Sequence, residues 1–297
     1  MSWYISLREL EVFLGIVDEG TVTAAADRAG MTQSAASQAL LSLEKGLSTP
    51  LFDRIGRKLL LNAQGHVFLP RARTLVDQAQ ELQRLFTDDA GIFLRLGAST
   101  TIGNHLLPAL LARFRQAHPR ASIQLMVGNT ADVVEAVTQL RIDAGFVEGP
   151  SHHPELLMTP WQADRMCVFA AADHALARGP VSLPELARAP WVLREPGSGT
   201  REEVERLLLP HLGRLEAVME LGQSEAIKQL VAAGMGISCL SRHVIAEWLE
   251  QGRLVELRSP LPQLERSLYR IQHKDKPGSR AMMLFDALLR AHFVSGA

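Results

Sequence analysis

The chain of 297 residues predicts an α/β protein preceded by a small helical unit. Three observations predict it. Through residues 5–91 the apolar residues return every three or four positions, the period of helices packed on one face. From Ile92 onward, short apolar runs alternate with helical stretches, the pattern of strands covered by helices. Pro and polar residues near 160–164 and again at 260–262 divide this later part into two lobes.

The first elements follow from spacing and caps. Leu7, Leu10, Phe13, Leu14 and Val17 share one helical face, and Glu19-Gly20 ends it. A short Ala-rich helix runs from Val22 to Ala29, slim enough for a neighbour to approach closely. Gly30-Met31 makes a tight turn, and Thr32 is an N-cap for a third helix reaching about Lys45. Helix, turn, helix, here at about 22–41, is the arrangement whose second member enters the DNA major groove. On the third helix Ala36, Leu40, Leu43 and Leu47 form the core stripe. That leaves Thr32, Gln33, Ser34, Ser37 and Gln38 to meet DNA, because amides and short hydroxyls suit base edges and phosphates. Leu41 also points outward, toward a thymine methyl or onto the next element. Taken alone, this helix is equally an ordinary polar surface helix; the segments that follow favour DNA.

Leu51 to Leu61 reads as a β-hairpin with Gly56 at its tip and Arg54, Arg57 and Lys58 around it. A wing lying along phosphates needs such cations, since each neutralised phosphate releases counterions. A solvated charge cluster is the alternative. Asn62 then caps a long helix on which Phe68, Ala72, Leu75, Ala79, Leu82 and Phe86 recur at coiled-coil spacing. Such a seam implies a helix from a second subunit, and Pro70 predicts a kink. The expectation is a homodimer of winged helix-turn-helix units (5–62, with a linker helix at 63–91) on double-stranded DNA. Its site should be an interrupted palindrome, mirroring the protein's two-fold symmetry.

Leu10, Phe13, Gly20, Ala24-Ala25-Ala26, Gln33-Ser34, Ser37, Leu43-Glu44, Leu51-Phe52, Arg54, Arg57 and Gly65 closely resemble the N-terminal signature of LysR-type transcriptional regulators. Leu107-Pro108, Gly197-Ser198-Gly199-Thr200-Arg201 and Ala233-Gly234-Met235-Gly236-Ile237 extend the resemblance along nearly the whole chain. It implies a ligand-responsive regulator, a likeness of the later part to periplasmic-binding-protein folds, and pairing into homotetramers. The chain departs from the family at Gln38, Leu41 and Ser42, where relatives often carry Arg or Lys. Ala29 stands where Leu is common, and Ser48 where Gly is common.

Composition sets bounds. With 47% apolar residues the chain can bury substantial cores, and its net charge of −1 gives no bulk signal of nucleic acid. The positive charge is local, at Arg54, Arg57, Lys58, Arg71 and Arg73. No run approaches the roughly 18 apolar residues of a membrane helix, and the N-terminus lacks the order of a signal peptide. A cytoplasmic protein with no membrane partner is expected. Cys167 and Cys239 lie in apolar strands and read as buried small hydrophobes rather than a redox pair. His152-His153 has no partners at metal spacing, and no nucleophile-elbow sequence occurs. No metal, no cofactor and no enzyme activity are expected. A solute-binding component would need a signal peptide and would not need the first ninety or so residues.

The later part predicts strands at Phe93–Ala98, Ser122–Val127 and Ala144–Val147, with helices at Gly103–Gln116 and Ala131–Leu140 between them. Around Pro160 to Asp164 the chain passes into the second lobe, with strands near Met166–Ala171, Trp191–Leu193, Ala217–Leu221 and Ile237–Leu240. Its helices are Arg201–Leu209, Ser224–Ala233 and Arg242–Gln251. A strand at Leu268–Gln272 and a helix at Ser279–His292 return to the first lobe. Lobe I is thus 92–163 with 267–297, and lobe II 164–266. Small polar residues open helices in both: Ser99, Thr100 and Thr101; Thr130; Ser198, Thr200 and Arg201; and Gln223. Free N–H groups and the helix dipole make each start a candidate anion site, although for any one of them alone plain capping is the favoured reading. Converging on one cleft, they would bind a small anionic effector. Ser99 and Thr101 stand where sulfur-metabolism regulators of the family contact an anion, and Thr200 matches their Gly-Ser-x-Thr segment. Ile102 replaces a polar contact there.

Overall fold

The computed structural model describes residues 5–55, 58–84, 92–150, 153–276 and 278–294. It divides into one compact unit ending at Gly91 and another beginning at Ile92. The first holds α1 (Leu7–Glu19), α2 (Val22–Arg28), α3 (Gln33–Leu47), the antiparallel hairpin β1 (Phe52–Ile55) and β2 (Lys58–Leu61), and α4 (Ala63–Arg84). Each short helix is capped by its own sequence. Ser6 and Glu9 form a reciprocal capping box on α1, while Thr21 and Thr32 accept backbone N–H bonds at the starts of α2 and α3. Ser48 closes α3 in the left-handed region at φ 54°.

One core joins these elements. Leu10, Phe13 and Ile16 of α1 meet Ala25 and Ala26, then Ala36, Leu40 and Leu43, with Leu51 and Phe52 from the hairpin side. The Phe13 ring lies 5.5 Å from Phe52 and 5.2 Å from Phe68, tilted and edge-on, as aromatic quadrupoles prefer. Glu44 accepts from the backbone N–H of Leu51 at 2.7 Å, which ties α3 to the hairpin. Gly65 is required by close approach: a Cβ there would sit 2.3 Å from the Leu51 carbonyl oxygen.

The long helix corrects one expectation. It runs from Ala63 to Arg84 with Pro70 inside it, as expected, but the apolar spacing read as one seam is two faces. Leu69, Ala72 and Val76 are buried in the unit's own core and Phe68 packs on it, whereas Val67, Leu75 and Leu82 are exposed. Phe86 lies outside the described residues. Arg73, counted above as local positive charge, is buried against Asp18, with Nη1 3.0 Å from Oδ2 and a second contact from Nη2. Burial pushes the Asp18 carboxyl up, but the Arg73 and Arg28 guanidiniums outweigh it and hold it below the ordinary value.

In the second unit, β3 (Phe93–Ser99) leads into a π-helical turn, Ile102–Leu106, and α5 (Leu107–Ala117). One helix was expected from Gly103. Pro108 near the start of α5 has no N–H to donate, which fits a boundary there. Next come β4 (Ser122–Gly128), α6 (Thr130–Thr138) and β5 (Ala144–Glu148). β3 pairs in parallel with both β4 and β5. The sheet is mixed rather than wholly parallel, because β6 (Leu156–Ala171) makes only antiparallel pairs in it. β6 carries the chain into lobe II as one continuous strand, although Pro160 suggested a break. The register with its partner skips Trp161, next to Pro160, and the neighbourhood of a bulge is where a sheet tolerates a residue without an N–H.

Lobe II adds α7 (Leu183–Arg188), β7 (Pro190–Arg194), α8 (Gly199–Leu212), β8 (Glu216–Leu221), α9 (Ser224–Ala232), β9 (Ser238–Ser241), α10 (Arg242–Glu250) and β10 (Leu254–Glu256). The chain returns by β11 (Glu265–His273), antiparallel to both β6 and β5, and ends in α11 (Arg280–Val294). β6 and β11 are therefore the two crossings between lobes. α7, β10 and the first half of β6 were not anticipated. Lobe I packs α5 and α11 on one face of the sheet and α6 on the other. No helix among the described residues is long and apolar enough to cross a membrane.

Candidate functional site

In the N-terminal unit, α3 presents its non-core side as the sequence predicts. Gln33, Ser34 and Gln38 are exposed and Ser37 is half-buried. Thr32 is exposed, and its side-chain oxygen accepts from the Ala35 N–H, which caps α3 and leaves its O–H free to donate. Leu41 is 47% exposed at the middle of this surface. Arg54 is exposed on β1. Lys58 pairs with Ile55 at the hairpin's end, but its side chain lies outside the described residues, as do Gly56 and Arg57.

In the second unit the four helix starts come together. The N–H of Ala131 on α6 donates to the carbonyl of Gly197 at 3.1 Å, joining lobe I to lobe II. A Cβ on Gly199 would lie 2.5 Å from Thr130 Oγ1 and 2.6 Å from the Glu148 carbonyl oxygen, so only glycine fits at this meeting point. Ser99, Thr100, Thr101, Thr130, Ser198 and Thr200 are all buried.

Two buried arginines that sequence reasoning missed organise them. Arg266 of β11 donates from Nε to Asp164 of β6 at 2.7 Å, from Nη1 to Thr200 at 2.9 Å and from Nη2 to Thr101 at 3.4 Å. It thereby links both crossing strands to a hydroxyl from each lobe. Ser241 completes Asp164 by donating at 2.7 Å. Arg194 of β7 repeats the device, donating from Nη1 to Thr100 of lobe I at 2.7 Å and to Ser224 of lobe II at 3.2 Å. Its Nε and Nη2 hold Glu195 in a two-point pair. Ser198 stays a cap, accepting from the Arg201 N–H.

This arrangement has a directional consequence. Thr100, Thr101, Thr200 and Ser224 each accept from a guanidinium, which cannot accept in return. Their own O–H groups are left to donate. Four buried hydroxyls from both lobes thus keep an O–H free to donate.

Two predicted members play other parts. Arg201 is turned to carboxylates, with Nη1 2.8 Å from Glu220 and Nε on Glu205, and it also donates to the Arg194 carbonyl at 2.9 Å. Its charge is neutralised on α8 and β8. Gln223 is exposed and makes no side-chain cap; Ser224 beside it is the buried contact. Thr130 donates to Glu148 Oε2 at 3.2 Å. In the π turn, burial and then Lys228 and His243 hold His105 below the ordinary histidine value.

The cysteines form no pair. Cys167 lies opposite Leu240 and Cys239 opposite Val168 in neighbouring strands, so the thiols face opposite sides of the sheet. They sit in different cores. Burial pushes the Cys167 thiol up to about 11 and Cys239 higher still, away from the reactive thiolate. His153 lies in a loop, and His152 lies outside the described residues.

Comparison with known proteins agrees with this geometry. Residues 7–66 match the family of bacterial regulatory helix-turn-helix proteins of the lysR type, and residues 93–294 match the LysR substrate binding domain. The HTH-type transcriptional regulator YeiE of Escherichia coli is 50% identical over 95% of this chain and 96% of its own. CysL of Bacillus subtilis, another HTH-type transcriptional regulator, is 31% identical over 96% and 97%. Among solved structures, a full-length OxyR from Pseudomonas aeruginosa superposes with a TM-score of 0.74 over 97% of this chain and 96% of its own, at 22% identity. The Synechocystis CcmR regulatory domain in complex with 2-PG superposes with a TM-score of 0.62, at 30% identity, over 68% of this chain and 97% of its own. The chain belongs to the LysR family of DNA-binding transcriptional regulators, an N-terminal helix-turn-helix reader with a C-terminal effector-binding domain, and not to an enzyme family.

Proposed function

We propose that this regulator's promoter binding is modulated by a small anionic metabolite held between the two lobes. The observation that carries the reading is the set of four buried hydroxyls that Arg194 and Arg266 orient as donors. Donors fixed before the ligand arrives cost no reorganisation on binding, and the adjoining helix starts add N–H groups and dipole. Ser99, Thr100, Thr101, Thr200 and Ser224 are the inner contacts; Thr130, Ser198 and Gln223 form the rim, and Arg201 steadies it. The chemistry of the relative CcmR, solved with 2-PG, is consistent with a small molecule in this domain.

The reader is the unit 5–62, the linker helix is 63–91, and lobes I and II are 92–163 with 267–297, and 164–266. Gln33, Ser34, Ser37 and Gln38 would read base edges, while Arg54, Arg57 and Lys58 would follow phosphates. Exposed Val67, Leu75 and Leu82 offer α4 to a second copy, giving a homodimer on an interrupted palindrome and a tetramer when lobes pair as well. The protein acts in the cytoplasm, where its DNA is.

A titration of the protein's own upstream DNA tests the reader. Gln33→Ala with Ser34→Ala should cost about 1–3 kcal/mol on the preferred site and little on random DNA. Arg54→Ala should weaken both alike and flatten the salt dependence. Unchanged binding in all these variants would remove the assignment of this surface.

A further inference from the structure

Glu148 ends β5 at the carboxyl edge of the parallel strands, among the converging helix starts. Its Oε2 takes the Thr130 hydroxyl, but its Oε1 has no hydrogen-bond partner although the residue is 2% exposed. The Arg266 Nη2 is 3.7 Å from Oε1, beyond hydrogen-bond reach, and that guanidinium is already bonded to Asp164, Thr101 and Thr200. Ser99, at the end of the adjacent strand β3, likewise has a buried hydroxyl without a partner.

Charge around these atoms does not balance. Arg194 is matched by Glu195 and Arg266 by Asp164, while Glu203 is bonded to Arg206. Glu148 shares Arg266 with Asp164 through a 3.7 Å ion pair that leaves its Oε1 without a hydrogen bond. A buried carboxylate oxygen accepts and cannot donate, and leaving it unbonded is costly. It repels a ligand that is only a cluster of acceptors.

Resting on the anionic-effector reading above, we propose that Glu148 makes the cleft selective for an oxyanion that still carries a proton. The ligand's O–H donates to Glu148 Oε1. Its remaining oxygens take the hydroxyl donors of Thr100, Thr101, Thr200 and Ser224, and Ser99 bonds the same ligand. A fully deprotonated oxyanion of the same size would satisfy the donors but face Glu148 acceptor to acceptor. Glu148 is thus a specificity-determining residue, chosen by what it cannot do.

Inorganic phosphate and sulfate separate these cases, because near neutral pH every phosphate ion keeps a proton and sulfate keeps none. Calorimetric titration of the full chain with each should show phosphate binding at least tenfold more tightly. Glu148→Gln replaces an acceptor with a donor of the same shape and should reverse the order in favour of sulfate. Glu148→Asp keeps the acceptor and should keep the phosphate preference. Equal binding of both anions by the native chain would overturn the role of Glu148 while leaving an anion site in place. Binding of neither would overturn both readings. An unchanged ratio in Glu148→Gln, with a native melting profile, would also overturn the proposal; if that variant does not fold, the native phosphate-to-sulfate ratio alone decides.

Discussion

Arg266→Met should lower the stability of the effector-binding domain by about 3–5 kcal/mol, the cost of breaking a buried ion pair from one side. The methionine replaces the aliphatic stem, so packing is nearly kept and the loss is electrostatic. Asp164 and Glu148, whose side chains are 0% and 2% exposed, would be left as carboxylates with no cation in contact. Thr101 and Thr200 would lose the donor that orients them. In a domain of this size the melting temperature should fall by on the order of 10 °C. Adding Asp164→Asn removes one stranded charge while keeping an acceptor for Ser241, and should recover part of the loss. A melting temperature within a degree or two of native for Arg266→Met would mean that the guanidinium is not the strut between the crossing strands.

Gly199→Ala should be destabilising by about 1–3 kcal/mol, although alanine is the better helix former. The sign is decided by space. The new methyl would lie 2.6 Å from the Glu148 carbonyl oxygen, which belongs to a strand and cannot rotate away, and 2.5 Å from Thr130 Oγ1. Relief requires α8 to draw back from lobe I, which stretches the Ala131–Gly197 hydrogen bond. Differential scanning calorimetry reads this directly. A rise in melting temperature would show that the two lobes do not meet here in solution.

Much of the architecture follows from local pattern. The stripes on α1 and α3, the cap at Thr32 and the strands of lobe I need only neighbours in sequence. The convergence of the helix starts was also legible, because small polar residues followed strand after strand. The arginines behind them were not. Arg194 and Arg266 meet their lobe I threonines across sequence separations of 94 and 165 residues, which no local period spans. One signal was present: the alternation of β11 puts Arg266 on the face of Leu264 and Leu268, both buried, so a charge there had to be paired. Arg201 was misjudged for the opposite reason. It stands four residues before Glu205 on a helix, a spacing that binds neighbours to each other before any ligand. The α4 seam was blurred because its apolar arc is wide enough to serve two partners, the unit's own core and an open face.

The central claim is that a ligand held by hydroxyls of both lobes controls DNA reading. It is tested most directly by the coupling between anion and operator. Fluorescence anisotropy would measure operator affinity with and without the oxyanion that most raises the melting temperature, in the native chain and in the Thr101→Val, Thr200→Val double variant. Only a ligand with different affinity for two arrangements can shift DNA binding. The native chain should show a change of about 5–150-fold, the usual range of coupling free energies. The double variant should bind operator alone nearly as well as the native chain and lose that change. The same coupling in the double variant would contradict the account and return these helix starts to simple capping.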